Sequence, residues 1–133
     1  MITQIKDHLQ TFPGFAGWTF RVDALGSGIG CGGLFCRGER ELSRRQDILG
    51  KVRLRRRLTL TLALNLPRTA GDDAPEMARR LLEFARWLRA EPGPVLGEDQ
   101  TVQVRGGKLR SANADGMAVY DAEIIYEFTS EVT

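Results

Sequence analysis

K-V-R-L-R-R-R-L-T-L-T-L-A-L-N-L, residues 51–66, is the stretch on which the reading of this chain turns. From Val52 onward every second residue (Leu54, Leu58, Leu60, Leu62, Leu64 and Leu66) is apolar, with Arg56 the one exception. The alternate set is Lys51, Arg53, Arg55, Arg57, Thr59, Thr61, Ala63 and Asn65. Side chains on a strand point to opposite faces with a period of two, so the pattern predicts one long, half-buried strand. A helix would spread these leucines round its surface and leave no coherent polar face. At roughly 3.3 Å per residue the strand would run on the order of 50 Å, well beyond the usual length. A bend near Arg56, or a strand that projects from the body, is therefore expected. Arg56 points to the leucine side, where a lone buried charge is costly, so it is expected at the bend or in a pair between subunits.

Working outward, the N-terminal side offers a short amphipathic helix of about ten residues: Ile2, Ile5, Leu9 and Phe12 share a face, and Pro13-Gly14 ends it. Trp18 to Leu25 alternates as a strand. Gly26 to Gly33 is rich in glycine and reads as a loop. Leu34 to Arg37 is a brief strand, Glu39 to Gln46 a solvated strand edge or loop, and Asp47 to Gly50 the turn into the long strand.

On the C-terminal side Asp73, with Glu76 three residues later, fits a helix N-cap, and a helix is expected from Ala74 to Ala90. Its buried stripe is Met77, Leu81, Phe84, Ala85 and Leu88, widened by Ala78, Leu82 and Trp87. Glu76 with Arg79 or Arg80, and Glu83 with Arg86, can pair across a turn. Glu91-Pro92-Gly93-Pro94 stops it. Thr101 to Arg105 is a short strand, Leu109 to Met117 a loop or hairpin connection, and Val119 to Thr129 a strong strand. That last strand turns Tyr120, Ala122, Ile124, Tyr126 and Phe128 inward and carries Asp121, Glu123 and Glu127 outside, with Ile125 among them. If it neighbours the long strand, Arg53, Arg55 and Arg57 could face Asp121, Glu123 and Glu127, each pair worth roughly 0.2–1 kcal/mol. The fold class is α+β: one domain over residues 1–133, with a mostly antiparallel four- to five-stranded sheet. Two helices pack on one face, and one strand or hairpin is overlong.

The totals place few limits on function. The 133 residues suffice for a single core, and 42% hydrophobic with 27% charged residues is an ordinary globular composition. A net charge of +2 is too small to indicate nucleic-acid binding by itself, yet nine Arg or Lys lie between Arg37 and Arg57 against three acids. No stretch approaches the roughly 20 apolar residues of a membrane span. The first ten residues lack an apolar signal core, so a cytoplasmic product with reduced Cys31 and Cys36 is expected.

Signals for chemistry are weak. His8 is the single histidine and has no nucleophile near it in sequence. Cys31 and Cys36 supply two of the three or four ligands that a metal needs. The glycines at 26–33 are followed by neither Lys-Ser nor a helical pattern, so a flexible loop is preferred to a phosphate cradle. No catalytic, metal or cofactor residues are assigned. The basic run from Arg44 to Arg57 has two readings. A solvated or cross-strand-paired face is preferred, because the strand lacks stacking aromatics; a nucleic-acid-binding module is the alternative.

Five segments carry a resemblance: I-K-D-H-L-Q-T-F-P-G, F-R-V-D-A-L-G, R-R-L-T-L-T-L-A-L-N-L, L-L-E-F-A-R-W-L-R and A-V-Y-D-A-E-I-I-Y-E-F. In this order they resemble small tailed-phage and prophage proteins described as minor capsid or tail terminator (head–tail joining) proteins. The glycine-rich stretch at 26–33 and the basic character of the long strand depart from that pattern. The resemblance implies an α+β subunit without catalytic residues or cofactor. Such subunits form a ring, often a hexamer, that caps the tail tube and meets the head connector. It places the protein in the host cytoplasm and then in the virion tail. Ring contacts are assigned to Arg53, Arg55, Arg56 and Arg57, with Asp121, Glu123 and Glu127 as partners. The 26–45 segment is expected to order on meeting a neighbouring ring. Closed rings by heterologous contacts suit complementary charged faces.

Overall fold

The computed structural model describes residues 2–26, 30–67, 73–112 and 117–132, without the side chains of 66–67, 73–78, 107–112, 117–118 and 132. The long alternating stretch forms a 16-residue strand, β3 (Val52–Pro67), at the centre of a five-stranded sheet. The other strands are β1 (Thr19–Val22), β2 (Cys31–Gln46), β4 (Glu98–Ala112) and β5 (Met117–Val132). Their order is β1-β2-β3-β5-β4. Only β1 and β2 are parallel. The helices are α1 (Ile2–Leu9) and α2 (Asp73–Ala90), and a single 3-10 turn, Pro13–Phe15, follows α1. The fold is α+β with a mostly antiparallel sheet, as the periodicities require.

The leucine face of β3 meets both helices. Leu58, Leu60, Leu62 and Leu64 pack with Ile5 and Leu9 of α1, Phe84 and Leu88 of α2, and Ile124, Tyr126 and Phe128 of β5. All eleven are buried, so this is the main core of the molecule. Aromatic rings fill the corner between α1, β1 and α2. Phe12 and Phe15 meet Phe84 at centroid separations of 5.5 and 5.4 Å, and Phe15 meets Phe20 at 5.2 Å. Such pairs add roughly 0.5–1.5 kcal/mol each beyond burial. An eight-residue helix like α1 is marginal alone, and this packing is what holds it. On α2, Leu81, Phe84 and Leu88 are buried as expected, while Leu82 is exposed and Arg79 pairs with Glu83 at 2.6 Å. The cap at Asp73 and Glu76, the Glu76 pairings, and the packing of Met77 and Ala78 involve side chains outside the described set.

Three expectations are corrected. Gly32 and Gly33 do not extend a loop: both are buried in β2, between Phe20 and Arg21 of β1 and Leu64 and Ala63 of β3. They are glycines because neighbours come close. A Cβ on Gly32 would lie 2.2 Å from the Phe20 ring, and one on Gly33 2.5 Å from the Ala24 carbonyl oxygen. Next, the brief strand expected at 34–37 is part of one continuous strand over residues 31–46, and of the two readings for 39–46, solvated strand edge or loop, the strand edge is the one that forms. The distal half of β2 showed no period because both faces there are polar and exposed, apart from half-buried Leu42. Finally, the strand predicted at 101–105 continues to Ala112 across a bulge, with Gly106 at φ 79° before Lys108.

After β1 the chain crosses the face of the sheet opposite the helices. Ala24–Gly26 lies against Gly33 and Asn65, with Asn65 Nδ2 donating to the Gly26 carbonyl at 2.5 Å. The loop assigned to 26–30 falls in part on residues outside the description.

Candidate interaction surface

β2 and β3 form a hairpin whose distal half carries the arginines. The turn is built by Asp47, whose carboxylate accepts the backbone N–H groups of Leu49 and Lys51 at 2.9 Å each. Gly50 completes it at φ 84°, a conformation that favours glycine. This turn holds Ile48 and Leu49 out in solvent, 99% and 84% exposed. β1 pairs with β2 only as far as Leu34, so among the described residues the rest of β2 is a free edge. Two bulges interrupt that edge, at Arg37 and at Leu42, a common device against edge-to-edge aggregation. β3 itself shows no register break against β5. The irregularity expected near Arg56 lies instead on β2, between Glu41 and Ser43, opposite Arg56 and Arg55.

β3 and β5 are neighbours, as the charge pattern anticipated, but the register differs. Arg57 faces Glu127, and its Nη2 and Nε donate to Oε1 at 2.8 and 3.1 Å. Arg55 faces Thr129, donating to its hydroxyl at 3.2 Å and to the Asp99 carbonyl at 2.7 Å. Arg53 faces Glu131 and forms an ion pair with Glu98 at 3.5 Å, while Lys51 pairs with Glu131 at 3.5 Å. Asp121 and Glu123 are further along, opposite Ala63 and Thr61. The antiparallel order makes the two charge blocks run past each other, so one predicted pair of three forms within the chain. Arg56 points to the leucine side as expected, but its partners are internal: Glu39 at 3.3 Å and the Ser130 hydroxyl at 3.1 Å. It remains partly exposed, which relieves the cost of its position.

Sequence reasoning missed the exposed tip. The signal was present in D-I-L-G, where two large aliphatic residues occupy a four-residue turn between charged strands. It also missed the role of His8. The ring stacks on Trp87 with centroids 4.8 Å apart, and Nε2 lies 2.5 Å from the Glu91 carbonyl oxygen, tying α1 to the end of α2. Both cysteines are free thiols. Among the described residues no cluster of three or more His, Cys, Asp or Glu is placed to hold a metal, and no helix is long and apolar enough to cross a membrane.

No protein-family model matches the chain, and no curated protein matches it.

Proposed function

We propose that the protein is a structural subunit of a tailed phage or prophage virion, a tail terminator or head–tail joining protein that assembles into a ring on the tail tube. The observation that carries this reading is the charged β2–β3 hairpin, which stays paired to β5 as far as Val52 and ends in an ordered turn that presents Ile48 and Leu49 to solvent. Exposed aliphatic residues on a hydrogen-bonded turn cost little conformational entropy when a partner buries them. Beside them, and outside the open grooves of the outer face, lie Arg44 and Lys51, which favour an acidic rim on that partner. The order of elements and the five motif segments support the same assignment. In this proposal the hairpin tip of one subunit meets its neighbour or the head connector. Arg53 and Arg55 contribute from the basic end of the outer face, and exposed Glu123 from the other end, with Asp121 beside it. Arg56 and Arg57 hold their own subunit together through Glu39 and Glu127, and neither the reaction of an enzyme nor a cofactor enters the role.

Light scattering across concentration, followed by negative-stain imaging, tests this. Closed rings are expected, either from the protein alone or on addition of tail tubes. Replacing Ile48 and Leu49 by Asp should abolish them while leaving the fold intact. A protein that stays monomeric under both conditions would overturn the proposal.

A further inference from the structure

The face of the hairpin turned away from the helices places arginine opposite arginine twice. Arg40 is the cross-strand partner of Arg57, and Arg45 that of Arg53. Like charges set directly across a ladder are destabilising, so the fold gains nothing from this placement. Glu127 and Glu98 offset the β3 member of each pair. Among the described residues neither Arg40 nor Arg45 forms a salt bridge. Each opposed pair borders an open groove. The first, of about 420 Å³, is lined by Arg37, Gly38, Glu39, Arg40, Arg57 and Thr59. The second, of about 230 Å³, is lined by Ser43, Arg45, Arg53, Arg55, Asp99 and Thr129. Three arginines and one or two hydroxyl-bearing residues thus line each groove, with one acidic residue; Arg37 also donates from Nε to the Thr61 hydroxyl at 2.8 Å. Glu39 is already engaged by Arg56, and Asp99 meets Arg55 through its backbone carbonyl.

We propose that these grooves are two phosphate-binding sites in line, which together take the backbone of a single-stranded nucleic acid. Guanidinium forks match phosphate oxygens bidentately, and the threonine and serine hydroxyls can donate to the same oxygens. Arg57 and Arg53 are four residues apart on one strand, roughly 13 Å. One ligand must therefore carry charge at several points along its length to fill both grooves, as a phosphodiester chain does and a lone anion does not. The sites read charge and spacing, and base sequence enters little.

The experiment is a fluorescence-anisotropy titration of a mixed-sequence single strand of about 20 nucleotides, at salt from about 50 mM upward. Wild-type protein should bind, with affinity falling steeply as salt rises. The double variant Arg40→Gln, Arg45→Gln should bind at least tenfold more weakly at low salt, with a salt slope smaller by about 1.4 for two lost phosphate contacts. Its melting temperature should be unchanged or higher, since it loses only the opposed charges. Arg105→Gln, on the same face of the sheet but outside both grooves, serves as the control and should bind as wild type does. No binding by the wild type at low salt would overturn the proposal, as would undiminished binding by the double variant. Equal binding of poly-glutamate would assign the face to an acidic protein instead. Equal thermal protection by pyrophosphate would assign the grooves to small anions; both results reject the nucleic-acid reading.

Discussion

The hydroxyl of Tyr126 is a polar group buried in the core. The Tyr126 side chain is fully buried, and among the described residues nothing hydrogen-bonds its hydroxyl. Burial pushes its pKa up from 10.0 to about 12, because the phenolate would lose its hydration. The folded pKa therefore lies above the unfolded one. Stability is unaffected by this group below pH 10 and falls as pH climbs from 10 to about 12, where the unfolded chain releases a proton that the folded chain keeps. The loss is on the order of 2–3 kcal/mol. Tyr126→Phe should remove that alkaline loss and be neutral or stabilising by up to about 1 kcal/mol at pH 7. Urea titrations at pH 7 and pH 11 check both parts; a destabilised variant at pH 7 would mean that the hydroxyl has a partner. Gly33 gives a prediction of opposite sign. Gly33→Ala must push the Ala24 carbonyl away and should destabilise by about 1–3 kcal/mol, measured the same way.

At the scale of elements, α1 and the hairpin tip behave in contrary ways. α1 is short, and His8 fastens it through Trp87 and the Glu91 carbonyl. His8→Ala should cost about 1–2 kcal/mol, the sum of a ring contact and a hydrogen bond, and should raise amide exchange first in residues 2–9. Unchanged exchange there would show that the core leucine and isoleucine hold the helix unaided. The tip is the reverse case. Ile48 and Leu49 contact nothing that the fold needs, so Ile48→Asp with Leu49→Asp should alter stability by no more than about 0.5 kcal/mol, yet prevent assembly. Differential scanning calorimetry beside light scattering separates the two effects. β2 explains why local pattern reading left residues 39–46 undecided between strand edge and loop. Its distal half, E-R-E-L-S-R-R-Q, is exposed on both faces, and a strand without a buried face leaves no alternation to detect.

For the whole molecule, the central question is how the charges on the outer face are divided between holding the chain together and meeting a partner. Arg57 is bound to Glu127 within the subunit, and Arg55 to Thr129 and the Asp99 carbonyl. Arg57→Glu would set two carboxylates side by side, so it should reduce stability by roughly 1 kcal/mol and, through that loss, lower ring assembly. Arg55→Glu loses two hydrogen bonds and reverses the charge beside the second groove, and should likewise act on both. Arg45→Gln, with no salt bridge to lose, should leave the melting temperature unchanged. Ring yield in negative stain, set against melting temperature, distinguishes these classes. If all three variants form rings as well as the wild type, the basic end of the face has no part in assembly.

The sequence by itself determined the class of fold, the central strand and its inward leucines, the closing strand and its aromatic core positions, and the span of α2. Each of those elements has one apolar face in the core and a more polar face away from it, although Ala63, Asn65 and Ile125 on that second face are buried too, and the contrast is written into the chain as a period. The tertiary structure alone decided the rest. Register is a relation between two strands, and only their antiparallel packing set Arg57 against Glu127 while carrying Asp121 and Glu123 to Ala63 and Thr61. The glycines of β2 were legible as unusual, but their reason, the approach of Phe20 and the Ala24 carbonyl, exists only once β1 and its crossing segment are in place. The opposed arginines belong to the same class: each is unremarkable in its own strand, and the conflict arises when the hairpin closes.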